Sequence, residues 1–367
     1  MTKPSSLSQT LITGVYRTGS EFFAHTIGGH PALAARMYNI DVMKWAYRQY
    51  DPIEDPANAR RALADIAERN RLRYDFTIDI EAIERAYRAC GAPGYGTLYD
   101  VLMTELFCNA EKRHWAEKCQ LLWREIPDFL RLMPNGRVIL ILRDPRSVLA
   151  SFKKFTFVPP PAYLGAVFNC FDAMKHAKRY AAELPADRFL VVRYEDCAAA
   201  PEAEARRVYA FLGLDPSRAV YDPASWGQDG VAWRANTAFQ AASELFDTAR
   251  SLQRWRENLD DDEIAFTEAV CGPLMGEFGY APAGTRLDWP GVLRRFIDNE
   301  QIAGWFKSWL LRGEGAQAYP LDPRNPANWA ETQSVETYAA RSEGEKVKRL
   351  KLVESGAGRY SVAEADG

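Results

Sequence analysis

The chain has 367 residues, of which 47% are hydrophobic and 26% are charged, and its formal net charge is −3. This balance is typical of a soluble globular protein. It argues against bulk nucleic-acid binding, which needs a basic excess, but it allows a phosphate-rich small ligand held by a few arginines.

The N-terminus and the cysteine pattern narrow the class of protein further. Residues 1–9 are polar and lack the apolar core of a signal peptide, and no apolar run is long enough to span a bilayer. The six cysteines form no CxxC pair and only four histidines accompany them, so we expect reduced, mostly buried thiols and no metal site. We therefore predict a cytoplasmic protein without a membrane span.

The first predicted unit is a strand, a tight loop and a helix. Thr10–Val15 is an apolar, β-branched run that predicts a buried strand. Apolar residues at helical spacing predict a helix over residues 21–28, which is closed by Gly28 and Gly29.

Two further strands follow a long helical stretch. Residues 39–113 are rich in Ala, Arg, Glu and Tyr with helical periodicity, which predicts a helical insertion over the sheet. Residues 137–142 predict a second buried strand, and an Asp-Pro pair behind it favours a helix start. A helix over residues 166–183 precedes a third strand over 189–192. Strands that alternate with helices predict a three-layer α/β fold with a central parallel sheet covered on both faces.

The character of the sequence changes after Tyr280. We predict a main domain over residues 1–285 and a C-terminal extension over residues 286–367. The extension begins with an amphipathic helix over 289–311, continues as a proline-rich linker and ends in two short strands within 349–362 that predict a hairpin. The hairpin is a candidate contact for a homodimer, whereas the aromatic face of the helix is more typical of core packing.

The first loop has a spacing used for phosphate binding. Gly14 and Gly19 are spaced as in a Walker A loop, between a strand and a helix whose N-terminus favours anions. The next two residues are Ser20 and Glu21, so the lysine for the β- and γ-phosphates and the hydroxyl for Mg²⁺ are both missing. This argues against an NTPase or a kinase. A glycine turn at this point is also common in α/β proteins without any such function.

The second strand ends in a candidate phosphate site. Arg143 follows the carboxyl end of the strand, where open α/β sheets bind ligands. Ser151 lies about two helical turns beyond Asp144, on the same face of the helix. An arginine and a hydroxyl can therefore converge on one phosphate, unless the arginine pairs with a local carboxylate and the serine faces solvent.

In this order and spacing the two segments resemble the PAPS-dependent sulfotransferase family, and two later segments strengthen the resemblance to its bacterial members. It covers about residues 10–281 and implies a P-loop-like fold and transfer of a sulfuryl group from PAPS (3′-phosphoadenosine-5′-phosphosulfate), which releases PAP. The segments that carry it are Arg17–Ser20, Arg143–Arg146 with Ser151, Tyr194–Asp196, Phe211–Leu214, Arg254–Trp255 and Gly279–Tyr280.

The resemblance also implies a set of nucleotide-binding residues. The loop for the donor's 5′-phosphosulfate comprises Arg17, Thr18, Gly19, Ser20, Glu21 and Phe22. Arg143, Ser151 and Arg254 correspond to ligands of the 3′-phosphate. Tyr194 lines the nucleotide site, and Asn236 and Thr237 resemble a cofactor loop of the family.

The residues of the transfer step follow from the same resemblance. Arg17 and Lys118 are the cations expected at the sulfuryl group, where they stabilise charge on the bridging oxygen. Asp41 is the nearest carboxylate to the position of the family's base, and His25 and His114 are alternatives. No metal is required, because a sulfuryl group carries less charge than a phosphoryl dianion.

Three functions remain open from the sequence. The first is a sulfotransferase that acts on a hydroxyl or amine of a small-molecule, carbohydrate or peptide acceptor. The second is a nucleotide kinase or NTPase on the same fold, and the third is a relative that binds PAPS or PAP with little turnover. The helical insertion is expected to shape the acceptor pocket.

Overall fold

The computed structural model describes residues 8–37, 40–155, 161–222, 248–285, 288–296, 298–319, 322–329, 350–354 and 360–364. Five parallel strands form its central sheet: β1 (Ser8–Gly14), β2 (Leu33–Met37), β3 (His114–Lys118), β4 (Arg137–Leu142) and β5 (Phe189–Arg193). Their spatial order is β2-β3-β1-β4-β5. The α/β fold with a central parallel sheet is thereby confirmed.

Helices connect the strands and cover both faces of the sheet. In the first part of the chain they are α1 (Ser20–Gly28), a π-helical turn (Val42–Ala46), α2 (Pro56–Tyr74), α3 (Ile80–Ala89), α4 (Tyr95–Phe107) and α5 (Ile126–Leu132). The later helices are α6 (Pro145–Phe155), α7 (Gly165–Glu183), α8 (Tyr194–Ala199), α9 (Pro201–Leu212), α10 (Thr248–Gln253), α11 (Trp255–Asn258) and α12 (Asp261–Met275).

The sheet separates two apolar layers. Along β4, Val138 and Leu140 face a large cluster that includes the helical insertion, α7 and α12. Ile139 and Ile141 face the opposite cluster, formed with α1, α8 and α9. All four side chains are fully buried, which explains why the strand is apolar without alternation.

Two strands of the sheet are absent from the sequence-based prediction, which gives only β1, β4 and β5. β2 is an Ala-Arg-rich edge strand, and β3 contains Glu117 and Lys118, whose side chains are both buried. Such composition lacks the apolar signal of a buried strand. β3 is tolerated at this position because the Glu117 carboxylate accepts hydrogen bonds from two backbone N–H groups, at 2.7 and 3.0 Å.

The start of α6 follows the sequence-based prediction. The Asp144 carboxylate accepts a hydrogen bond from the N–H of Arg146 at 2.9 Å and so satisfies one open donor of the first turn. β4 therefore passes into its helix through a capped turn, which holds Arg143 at the carboxyl edge of the sheet.

The predicted single helix over residues 289–311 is wrong, because two helices occupy this segment: α13 (Trp289–Phe296) and α14 (Glu300–Arg312). Asn299 starts the second helix by accepting a hydrogen bond from the N–H of Ile302 at 3.1 Å. The apolar periodicity continues across the asparagine that caps the new helix, so the sequence pattern does not show the break. Further along, β6 (Leu350–Glu354) and β7 (Tyr360–Glu364) pair in antiparallel fashion.

The aromatic side chains of α14 pack on the main domain. The ring centroids of Trp305 and Phe168 are 6.1 Å apart, and those of Phe306 and Phe266 are 6.3 Å apart.

All six thiols are free and five of them are buried. Within the described ranges no helix is both long and apolar enough to cross a bilayer.

Candidate nucleotide and transfer site

The loop that follows β1 crosses the centre of the sheet at the carboxyl ends of the strands. It starts at Gly14, where an added Cβ atom would lie 2.6 Å from the carbonyl oxygen of Ile141 on β4. Only glycine permits this approach of two neighbouring strands. The loop ends where Ser20 begins α1, and the first N–H groups of a helix have no partners within that helix. The loop therefore presents a helix N-terminus and its open amides to an anion.

Two residues of the loop have left-handed backbone conformations. Arg17 has φ of 71° and Gly19 has φ of 80°. A Cβ atom on Gly19 would lie 2.2 Å from Cδ2 of Tyr194, so the tyrosine ring packs directly on the glycine backbone. The loop conformation is thus fixed both by its own dihedral angles and by a residue from the end of β5.

We expect Gly19→Ala to destabilise the protein by about 2–5 kcal/mol, because it combines left-handed strain with a clash against Tyr194. Gly91→Ala is the matched control, since Gly91 has φ of 68° but nothing within 4 Å of an added Cβ atom. It should cost about 1–2 kcal/mol. Urea unfolding of the two variants measures the difference, and equal losses would contradict the packing role of Tyr194.

Arg143 ties the loop to two distant parts of the chain. Its Nη1 donates to the carbonyl oxygen of Arg17 at 3.0 Å, across 126 residues of sequence. Its Nη2 donates to the carbonyl oxygen of Ser251 at 2.7 Å. The guanidinium lies 4.3 Å from the centroid of the Tyr194 ring. The Nε of Arg143 is buried and has no hydrogen-bond partner among the described residues, so one donor remains to be satisfied.

Arg17 and Ser151 meet at the start of the same site. The Nε of Arg17 donates to Oγ of Ser151 at 3.0 Å. Burial lowers the pKa of Arg17, nearby Arg143 lowers it further and Glu21 opposes the shift. The sequence predicts Arg143 with Ser151 at one phosphate and Arg17 at the other, and the structure brings all three side chains into one cationic cluster. Two half-buried guanidinium groups in one cluster favour an anionic ligand.

Tyr194 and Ser251 close the cluster from the other side. The Tyr194 hydroxyl and the Ser251 Oγ are 2.6 Å apart, and both residues are buried. Phe22 packs edge-on against Tyr194 with ring centroids 6.1 Å apart. Ser251 is missing from the sequence-based prediction, although it lies three residues before Arg254, which that prediction includes. A single serine in a short helix gives no signal of its own.

Other residues of the family-like segments stabilise the surrounding structure. The Glu195 carboxylate accepts hydrogen bonds from the N–H of Asp144 at 2.9 Å and from the Tyr280 hydroxyl at 3.2 Å. Arg146 pairs with Asp144 at 2.6 Å and lies 4.2 Å from the ring centroid of Trp255. These contacts join β4, β5 and the last helices around Arg143.

Lys118 lies at the carboxyl end of β3, beside the start of α1. Its side chain is 1% exposed and its Nζ is 3.5 Å from Oε1 of Glu21. His25 belongs to the same group: burial lowers its pKa to about 4, Glu21 opposes this decrease and Lys118 adds to it. Gln120, which the sequence does not single out, donates to Oγ of Ser20 at 3.1 Å. The start of α1 thus faces a lysine, a neutral imidazole and an amide.

Asp41 is buried and ionised. Burial alone would raise its pKa, but Arg69 and Lys44 hold it below the ordinary value. Arg69 donates to Oδ2 of Asp41 at 3.1 Å, and Cys119 next to Lys118 also interacts with the carboxylate. The predicted base is therefore a carboxylate held in a fixed position close to the end of β3.

The remaining predicted residues lie in different places. His114 begins β3 and bonds to Ser8 at 2.7 Å, so the length of the strand, about 13 Å, separates it from the loop end of the sheet. It is excluded as a base for chemistry at that end. Arg254 is the N-cap residue that precedes α11, and its carbonyl oxygen accepts a hydrogen bond from the N–H of Asn258 at 3.1 Å. Asn236 and Thr237 lie outside the described residues.

Comparison with known proteins identifies the family to which this chain belongs. Residues 10–218 match the model of the sulfotransferase family, which includes the loop, Arg143, Ser151 and Tyr194. The chain is similar to the nodulation protein NoeE of Sinorhizobium fredii, with 24% identity over 83% of this chain and 74% of that protein.

Two further similarities cover different lengths. Carbohydrate sulfotransferase 1 of Danio rerio is 28% identical over 46% of this chain and 45% of its own length, so the chain matches less than half of that relative. The sulfotransferase domain of the Synechococcus olefin synthase superposes with a TM-score of 0.47 at 19% identity, over 73% of this chain and 95% of that domain. Across the described ranges, no group of three or more His, Cys, Asp or Glu side chains is arranged to hold a metal ion.

Proposed function

The chain belongs to the sulfotransferase family, and on that premise we propose that it transfers a sulfuryl group from PAPS to a carbohydrate hydroxyl. The observation that carries this proposal is the cluster of Arg17, Arg143 and Ser151, assembled from two strand ends at the centre of the sheet. The carbohydrate sulfotransferase among its relatives supports the class of acceptor.

The residues of the site fit a doubly phosphorylated nucleotide. The open amides from Gly19 to Phe22 suit the 5′-phosphosulfate, with Thr18, Ser20 and Glu21 in the same loop. Arg143, with an Nε that lacks a partner among the described residues, suits the 3′-phosphate together with Ser151 and Arg254. Tyr194 and Phe22 supply the aromatic lining. Asn236 and Thr237 complete the proposed set.

In the transfer, the acceptor oxygen forms a bond to sulfur as the bond from sulfur to the bridging phosphate oxygen breaks, so that PAP leaves. Arg17 and Lys118 are the cations that stabilise negative charge on the bridging oxygen. Asp41 takes the proton of the acceptor hydroxyl, and His25 is the alternative base. Both are held near the end of β3 by buried neighbours, which satisfies the need for fixed orientation.

The direct test is incubation of the protein with labelled PAPS and a panel of carbohydrate, phenol, amine and peptide acceptors. We expect PAP release that depends on the acceptor and is fastest with a carbohydrate. Magnesium-dependent turnover of ATP would instead favour a kinase or an NTPase, a function for which Ser20 and Glu21 replace the required lysine and hydroxyl. Tight PAP binding without transfer to any acceptor would favour a binding protein.

We expect Asp41→Asn to lower kcat by about 10²–10⁴-fold, because a general base contributes that much to proton transfer. Arg69→Gln is the matched control: it breaks the same buried ion pair but keeps the carboxylate. Since Arg69 lowers the pKa of Asp41, its removal should raise that pKa and move the acid limb of the pH–rate profile to higher pH.

Measurement of kcat against pH for Asp41→Asn, Arg69→Gln and His25→Gln separates the two candidate bases. PAP affinity and the unfolding midpoint of each variant report any general damage. Retention of full kcat by Asp41→Asn, with its loss in His25→Gln, would transfer the role of base to His25.

A further inference from the structure

A lysine enclosed by two tyrosine rings lies beside the donor loop. We call Tyr16, Lys44 and Tyr319 the Lys44 cluster. The Lys44 Nζ donates to the Tyr16 hydroxyl at 3.1 Å and lies 5.4 Å from the ring centroids of both tyrosines. All three residues are partly exposed. An ammonium group held against two rings is pre-positioned for a ligand.

The charges around the cluster leave its lysine available to an anion. Burial lowers the pKa of Lys44, but Tyr16 and Asp41 raise it above the ordinary value. The carboxylate of Asp41 is itself ion-paired with Arg69 at 3.1 Å. An ammonium group carries three N–H donors. The bond to Tyr16 is the one hydrogen bond that the Lys44 side chain makes to a described residue, so two of its donors remain. Arg73 on α2 adds a further positive charge near Tyr16 and Asp41.

The cluster borders the acceptor side of the proposed reaction. Tyr16 directly precedes Arg17, and Lys44 lies in the π-helical turn that follows Asp41. An acceptor hydroxyl presented to Asp41 would therefore have its neighbouring groups next to Lys44. The tyrosine rings offer flat apolar faces, and their hydroxyls offer hydrogen bonds. This combination suits a sugar ring that carries a negative charge.

The C-terminal segment supplies one wall of the cluster. Residues 313–319 run along α7, where the N–H of Ala318 donates to Oδ1 of Asn169 at 2.9 Å. The Gln317 side chain donates to Glu125 at 2.7 Å, just before α5. The Tyr319 hydroxyl donates to the carbonyl oxygen of Leu121 at 2.6 Å. These bonds hold the Tyr319 ring against Lys44, so the segment belongs to the pocket.

We propose that the Lys44 cluster is an acceptor subsite that binds the carboxylate of an acidic saccharide, with Lys44 as the charged ligand and Tyr16 and Tyr319 packed on the sugar ring. This inference rests on the proposed function and deepens it, because it names the acceptor class. A carboxylate bonded to Lys44 gains a charge-assisted hydrogen bond that a neutral sugar lacks.

The test compares two probes that differ only in charge. One is a tetrasaccharide of alternating glucuronic acid and N-acetylglucosamine, and the other is its carboxyl-reduced form. We expect the wild-type protein to show a kcat/KM at least about tenfold higher with the acidic probe, the size of effect given by one charged hydrogen bond. Calorimetry on the PAP-bound protein gives the same comparison for binding.

Variants of the cluster identify the residue responsible for the preference. Lys44→Met should bring the ratio of the two kcat/KM values close to one, whereas Lys44→Arg should retain most of it. Tyr319→Phe should keep the ratio, because the ring remains, and Tyr319→Ala should raise KM for both probes. Lys307→Met, at an exposed position of α14, is the control and should leave every value unchanged.

The outcomes separate this inference from the proposed function. Failure to bind PAP, or PAP binding without transfer to any acceptor, would overturn the proposed function. Equal use of the two probes by an active wild-type protein would overturn the subsite alone. So would PAP binding without any affinity for either probe, or a preference that persists in Lys44→Met. Unchanged PAP affinity and unfolding midpoint in Lys44→Met would confirm that the change is local.

Discussion

Replacement of Arg143 by alanine is expected to weaken PAP binding by ~100-fold or more, the largest loss of PAP affinity for any single substitution in the site. A truncated partner of a buried charge pair costs about 2–5 kcal/mol, which corresponds to this range of affinity. Arg143 also holds the carbonyl oxygens of Arg17 and Ser251, so its loss removes a ligand and loosens the loop at the same time.

Calorimetry with PAP measures this effect, and two variants isolate its cause. Arg143→Lys keeps the charge but cannot span both carbonyls, so we expect an intermediate loss of affinity. Arg137→Ala removes an arginine from the other end of the same strand, where Nε donates to the carbonyl oxygen of Asp187 at 3.2 Å. This control should bind PAP normally. Unchanged PAP affinity in Arg143→Ala would contradict the proposed nucleotide site.

We expect Lys118→Met to lower kcat by about 10²–10³-fold while PAP affinity changes only a few-fold. Removal of one preorganised donor to developing charge typically costs this much in kcat. Lys118 is almost fully buried at the end of β3 and is aimed at the start of α1, with its charge near Glu21. Methionine preserves the length of the side chain and removes only the charge.

Single-turnover assays with labelled PAPS separate this chemical step from product release. Lys178→Met is the control, since that lysine forms an ion pair on the surface with its side chain 56% exposed. Glu21→Gln adds a second test: it frees Lys118 from its carboxylate neighbour and should leave the transfer step at least as fast. Equal kcat in Lys118→Met and the wild-type protein would remove Lys118 from the transfer step.

The sequence predicts the strands that consist of buried apolar residues. β4 reads Arg-Val-Ile-Leu-Ile-Leu and is buried on both faces, so composition alone identifies it. β3 is missed because its buried charged residues contact residues that are distant in sequence. Glu117 bonds to Tyr99 and Ile40, and Lys118 lies beside Glu21. Tertiary hydrogen bonds of this kind leave no periodic signal.

The candidate site shows the same division. Arg17, Arg143 and Ser151 are predictable because motif spacing places them in the segments that follow two adjacent strands, and the structure brings them together. Ser251 and Gln120 are not predictable, since each acts through hydrogen bonds to residues of other segments. The packing of Tyr319 against Lys44 cannot be predicted from the sequence either, because it depends on a segment that returns to the sheet only after α14.

The hydrogen bonds from Arg143 and Tyr194 to Ser251 also bear on where the chain can be truncated. The match to the family model ends at residue 218, yet Arg143 and Tyr194 both bond to Ser251, which lies beyond that point. A shortened version that stopped there would remove the acceptor of Arg143 Nη2 and the hydroxyl partner of buried Tyr194, and would leave Arg146 without the indole of Trp255. Residue 218 is therefore where the family model stops and not where the interactions that hold the site together stop.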